Sequence, residues 1–294
     1  MFGRKRFSGR KRSIGNKIFG PLSRSAPLLS LVLLISFLSI TFSLGYYLLA
    51  LSPREFAQQK EVKGYENDLK KLETLDEWTI TTFYWSNNLR VAGISIIFFP
   101  SYFANAIQIA SGRSMGMAIA YFDRTGGWQR ALAFSAQLFV HGIFEFTGLL
   151  LISAGTMRLA WRFWERIGRI KNFKKFFIKR SISPQVKSEI TDAGVILLLG
   201  LLLIFIAAPV EAYISPTAGV LFFFEPALAL LFLASVCAVY FAIFLYGLEG
   251  MKAVMKKVAG ETKEIFNGRV TSKNAPAVIF LLAMILYLSR YFIR

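Results

Sequence analysis

His141 and Glu145 stand four residues apart in QLFVHGIFEFTG, so on an α-helix they share one face. An imidazole beside a carboxylate can move a proton, hold an ion, or form a polar pair that fixes packing. As metal ligands the two are too few, and a site would need Glu211 or Glu225 as well. A satisfied polar pair, with no metal and no cofactor, is the expectation. Arg90 lies in SNNLR beside Asn87 and Asn88. Ion pairing of Arg90 with Glu145 or Glu225 would relieve the burial of both charges. Glu211 closes one apolar run, and Glu225 sits inside FFFEPALALLF. Pro226 cannot donate to the carbonyl four residues back, at Phe222. A broken helix beside a carboxylate is what transporters use to hold ions, although isolated proline kinks occur in ordinary spans.

These polar residues are embedded in apolar sequence. The chain has 294 residues, 55% of them hydrophobic and only 18% charged, with 29 Phe. A membrane span needs about 20 mostly apolar residues, and several stretches satisfy that. The expected fold is therefore all-α: a polytopic transmembrane bundle of about six or seven hydrophobic segments. An ionisable side chain deep in hydrocarbon costs about 2.5–3.5 kcal/mol on insertion scales, so such residues face a partner or a wet cavity. The net charge of +18 falls in blocks that abut apolar runs, the pattern of cytoplasmic loops on anionic lipid rather than of a nucleic-acid surface. One Cys (Cys237) and one His exclude an intrachain disulfide and a Cys/His zinc cluster.

Residues 1–25 form a basic, cytoplasmic N-terminus, with eight Lys/Arg and no acid up to Arg24. The run 26–51 is longer than the apolar part of a cleaved signal peptide and reads as an uncleaved anchor. Residues 52–78 hold seven acids against five Lys/Arg and are expected outside; Leu69, Leu72 and Leu75 predict a short amphipathic helix over 66–77. The block 158–187 holds ten Lys/Arg and belongs inside. The span 131–157 must then run inward, so residues 79–122 cross an even number of times. Two spans, 80–100 and 102–122, joined near Pro100, or one re-entrant hairpin, satisfy that parity. On the hairpin reading Arg90 lies at the outer interface and needs no partner. Spans at 193–212 and 217–248 follow, separated by an outer turn at Tyr213–Pro216. A cytoplasmic loop at 249–274 and a last span at 276–293 complete one transmembrane domain over 26–293, its C-terminus outside.

Trp161–Arg180 alternates aromatic and basic residues at helical spacing. Arg162, Arg166, Arg169, Lys171, Lys174 and Lys175 would lie on the anionic cytoplasmic leaflet, or the segment extends the preceding span. No phosphate-binding or dinucleotide-binding glycine motif occurs.

NNLRVA at 87–92, GRSMGMAIAYF at 112–122, HGIFEFTGLLLISAGTMRLA at 141–160 and EAYISP at 211–216 resemble, in that order, the stage II sporulation protein M family over roughly 85–250. At GRSMG the chain departs from the Asn-Gly of that pattern. The resemblance implies a polytopic membrane protein of scaffold type, working with peptidoglycan-degrading partners in spore formers. It marks Asn88, Arg90, His141, Glu145, Glu211 and Pro216 as motif residues without lending any a catalytic role.

Three functions follow as expectations. The first is a non-enzymatic scaffold or membrane-remodelling component of the cell membrane, a homo-oligomer or bound to other membrane proteins, with no nucleic acid. The second is a transporter or channel using Arg90, His141, Glu145 and Glu225. The third, an enzyme with His141 and Glu145 as acid and base, lacks an evident nucleophile.

Overall fold

Apolar runs with no water to satisfy their backbones close their hydrogen bonds internally, as helices. The computed structural model describes residues 14–72, 74–168 and 184–266, with 278, 279 and 282, and every regular element there is helical. The N-terminal block before Ile14, the loop 169–183 and nearly all of the expected last span lie outside the described residues.

Helix α1 (Ile14–Gly45) ends in a π turn, Tyr46–Ala50. Two short helices follow, α2 (Pro53–Gln58) and α3 (Lys60–Leu72). The Ser52–Glu55 capping box opens α2. The expected amphipathic helix thus starts earlier and stops at Leu72 rather than running to Glu77. Asp76 then caps α4 (Glu77–Ile97), its carboxylate accepting from Thr79. Those two bonds hold the Asp76 carboxyl below the usual carboxylate range.

A 3-10 turn, Phe99–Ser101, leads into α5 (Phe103–Gly168). This long element is two arms, 103–126 and 128–168, folded back at Gly127, whose φ of 77° suits glycine. The rings of Phe122 and Phe134 are 4.1 Å apart, whereas twelve residues of straight helix would separate them by about 18 Å. Ser153 Oγ donates to the Ala104 carbonyl, so the arms stay paired as far as the start of the first arm.

Helix α6 (Pro184–Pro209), a π turn (Val210–Ile214) and α7 (Ser215–Phe224) form one rod antiparallel to the second arm of α5. Gly200 faces Gly148, Leu197 faces Gly155 and Gly219 faces Gln137. The expected outer turn at Tyr213–Pro216 is therefore absent, and the chain stays helical there. It reverses at Glu225 instead, where φ and ψ are −122° and 73°. Phe222 stacks on Phe232 at 5.3 Å, across what would be about 15 Å of straight helix. Helix α8 (Pro226–Phe266) returns beside α1, Gly247 meeting Ala26 and Ser30.

Four helical stretches among the described residues are long and apolar enough to cross a membrane: Ile18–Ala50, Phe103–Glu165, Pro184–Phe224 and Pro226–Lys263. The expected spans 102–122 and 131–157 are the two arms of the second. The expected span 80–100 corresponds to α4, which is about 31 Å long but not apolar enough to count among the four, so six or seven was a high count. Yet α4 runs the full depth of the bundle. Ala92 packs with Leu149 and Ile152, and beyond its end the Pro100 carbonyl accepts from Trp164 Nε1.

The second arm of α5 is the axis, touching α1, α4, α6, α7 and α8. Where it meets α6, backbones approach through glycine. A Cβ on Gly148 would lie 2.7 Å from an Ile204 side-chain carbon and 2.8 Å from the Gly200 carbonyl. Gly142, on the same arm, has only side chains at 3.8 Å and beyond. Gly148→Val should destabilise the detergent-solubilised protein by about 1–3 kcal/mol through overpacking. Gly142→Ala should leave the melting temperature unchanged or slightly raised. Equal effects of the two in a thermal melt would contradict this packing.

Candidate functional site

Pro216 cannot donate a backbone hydrogen bond. Just before it the helix widens: the Ser215 N–H reaches five residues back to the Val210 carbonyl. Such π turns carry an extra residue and recur at functional sites. Here the widened turn holds Glu211 against the second arm of α5.

Three side chains meet there. One ligand atom from each of His141, Glu145 and Glu211 lies within 4.8 Å of the others. His141 Nε2 is 3.6 Å from Glu211 Oε1, with side chains 14% and 16% exposed. The other ring nitrogen, Nδ1, is 3.0 Å from Ser215 Oγ. The Ser215 hydroxyl donates to the Val210 carbonyl at 3.2 Å. Glu211 Oε2 is buried with no hydrogen-bond partner, and the Tyr84 hydroxyl of α4 faces Glu211. Glu145 makes no hydrogen bond or ion pair among the described residues.

The cluster is at mid-depth. Tyr240 of α8 packs on Phe146 and shares a 3.0 Å hydrogen bond with Thr147. Tyr240 itself lies about 21 Å along α8 from Pro226 and about 14 Å from Glu249. Charge at this level of a membrane bundle needs a partner within the bundle or a wet cavity.

The other sequence candidates do not join this cluster. Arg90 is exposed on the outward face of α4 and makes no ion pair with any described residue, so the expected Arg90 pairing with Glu145 or Glu225 is overturned. The reason is rotational: Tyr84 and Asn88 take the inward positions of α4, which turns Arg90 away. Asn88 is buried, its carbonyl 3.4 Å from Asn87 Nδ2. Glu225 is exposed at the reversal between α7 and α8. Arg162 is held by Glu165 at 2.5 Å and by a two-pronged pair with Glu189. Arg166 lies on α5, and Arg169, Lys171, Lys174 and Lys175 lie outside the described residues.

Tyr84, Ser215 and Asp192 were missed. Ser215 stood inside the EAYISP motif. Asp192 could have been found as the acid that ends a strongly basic block beside an apolar run.

The family model for Stage II sporulation protein M matches residues 30–216. The match takes in α1 from Ser30 onward, runs through His141 and Glu145, and stops just after Ser215, leaving α8 beyond it. No curated protein and no solved structure matches the chain.

Asp192 also lies within the match and ties α1, α5 and α6 together at the basic end. Arg24 grips it with two 2.6 Å bonds, and Arg158 Nη2 approaches at 3.3 Å. The carboxylate is 5% exposed, while Arg24 is half exposed. Breaking a buried pair costs about 3–5 kcal/mol, and the exposure of Arg24 lowers that to about 2 kcal/mol. Asp192→Asn should therefore lower the melting temperature clearly, and Glu249→Gln, at an almost fully exposed carboxylate, should not. An unchanged melt for Asp192→Asn would show that the knot contributes nothing.

Proposed function

The chain belongs to the stage II sporulation protein M family, and from that premise we propose that it is a non-enzymatic assembly component of the cell membrane. It holds copies of itself or other membrane proteins together. The observation that carries this reading is the outward face of α4. Thr82, Ser86 and Arg90 recur at four-residue spacing, with Asn87 beside them, and all four are exposed. The helix bearing them spans the depth of an otherwise apolar bundle. Polar side chains facing lipid tails are unfavourable, whereas between helices they act as glue. A second protein covering this stripe satisfies both conditions.

Orientation follows from charge. Arg24, Arg158, Arg162 and Lys257 gather at one end, and helices α2 and α3, in which acids and Lys/Arg nearly balance, sit at the other. On this reading the basic end is cytoplasmic.

The alternative is a transporter in which the same stripe lines a water-filled path. The two separate cleanly in native membranes. In a Cys237→Ser background, a cysteine at Asn87 should cross-link to a second protein, and one at lipid-facing Leu230 should not. Arg90→Leu should reduce the cross-linked fraction by more than half. Labelling of position 87 by a membrane-impermeant thiol reagent, with no cross-link formed, would instead support the water-lined path and sink the assembly reading.

A further inference from the structure

We propose that His141, Glu145 and Glu211 form a binding site for one divalent transition-metal cation, of the zinc or manganese kind. This inference is independent of the assembly reading and rests on hydrogen accounting within the cluster.

The Ser215 hydroxyl has a single hydrogen and two partners, the Val210 carbonyl at 3.2 Å, which can only accept, and His141 Nδ1 at 3.0 Å, whose role depends on the tautomer. In the metal-ready tautomer that hydrogen goes to the carbonyl, and Nδ1 carries the ring proton and donates it to the hydroxyl oxygen. That assignment leaves Nε2 with an exposed lone pair, 3.6 Å from Glu211 Oε1. The second Glu211 oxygen is buried without a partner. Glu145 brings a further carboxylate within 4.8 Å. Three electron-pair donors thus converge at mid-depth, and the Tyr84 hydroxyl is the hydrogen-bond donor that faces Glu211. Two carboxylates and an imidazole lone pair repel one another unless a proton or a metal cation stands between them.

The spacing suits a metal better than a proton. A separation of 3.6 Å is too long for an N–H···O hydrogen bond. Two ligand atoms each about 2.1 Å from a tetrahedral ion stand about 3.4 Å apart. One imidazole with two carboxylates is a nitrogen–oxygen set suited to zinc or manganese. A ligating histidine usually donates its other ring N–H to a neighbour that fixes the ring, and Ser215 takes that place here.

The chain has a single histidine, which makes the test unambiguous. Full-length protein carrying a histidine-free tag is stripped with chelator, checked for monodispersity, and titrated with Mn2+. We expect one Mn2+ per chain, displaced by Zn2+, with imidazole-nitrogen modulation in pulsed electron paramagnetic resonance. Glu211→Gln and His141→Ala should weaken binding by roughly a hundredfold, and Ser215→Ala by about tenfold. Glu225→Gln should bind as the wild type does. Folded wild type that binds neither ion at millimolar concentration would overturn the site. So would bound Mn2+ lacking the nitrogen signal, or Glu211→Gln with wild-type affinity. If the variants fail to fold, the wild-type nitrogen signal decides the matter alone.

Discussion

A polar group inside hydrocarbon has no solvent to turn to, and this constraint shapes the bundle at every level. It makes every described element helical. It brings Asp192 between two arginines at the basic end, and it lets Ser30, Ser39 and Ser43 of α1 spend their hydroxyl hydrogens on carbonyls of α8 and α5. It also makes the exceptions informative. The unsatisfied acceptors around His141 and the uncovered stripe on α4 are two places where the isolated chain leaves that constraint unmet. On the readings proposed above, a cation meets the first and a second protein meets the second.

Both exceptions depend on the second arm of α5. Its glycines let α6 approach to backbone contact, and that approach sets the rotation of the α6–α7 rod. With Gly148 against Gly200, the rod's later turns fall beside His141 and Gln137. The π turn before Pro216 then directs Glu211 inward. On the other side, α4 packs with Ala92 near Leu149 and brings Tyr84 toward the same cluster. Its opposite face, with Arg90, is left outside.

The helical class and the basic end were legible in the sequence, because apolar run length and charge placement report directly on membrane insertion. The face shared by His141 and Glu145 was legible too, from helical spacing alone. Other features were not. The reversal at Glu225 was misplaced to Tyr213–Pro216, since proline marks a kink as readily as a turn, and only packing against Gln137 distinguishes them. Arg90 was assigned a carboxylate partner because depth can be read from sequence and rotation about the helix axis cannot. Tyr84 and Ser215 were missed for the same reason: an ordinary hydroxyl gains meaning only from the neighbour it faces.

The central claim is that the Val210–Ser215 relay fixes the His141 proton on Nδ1 and leaves Nε2 directed at Glu211. With one histidine in the chain, 15N-histidine labelling gives a single pair of ring-nitrogen resonances. Above pH 7 the metal-free protein should show Nδ1 protonated and Nε2 bare, the reverse of the tautomer favoured by a free neutral imidazole. A proton found on Nε2, with Nδ1 bare, would contradict the account of the site.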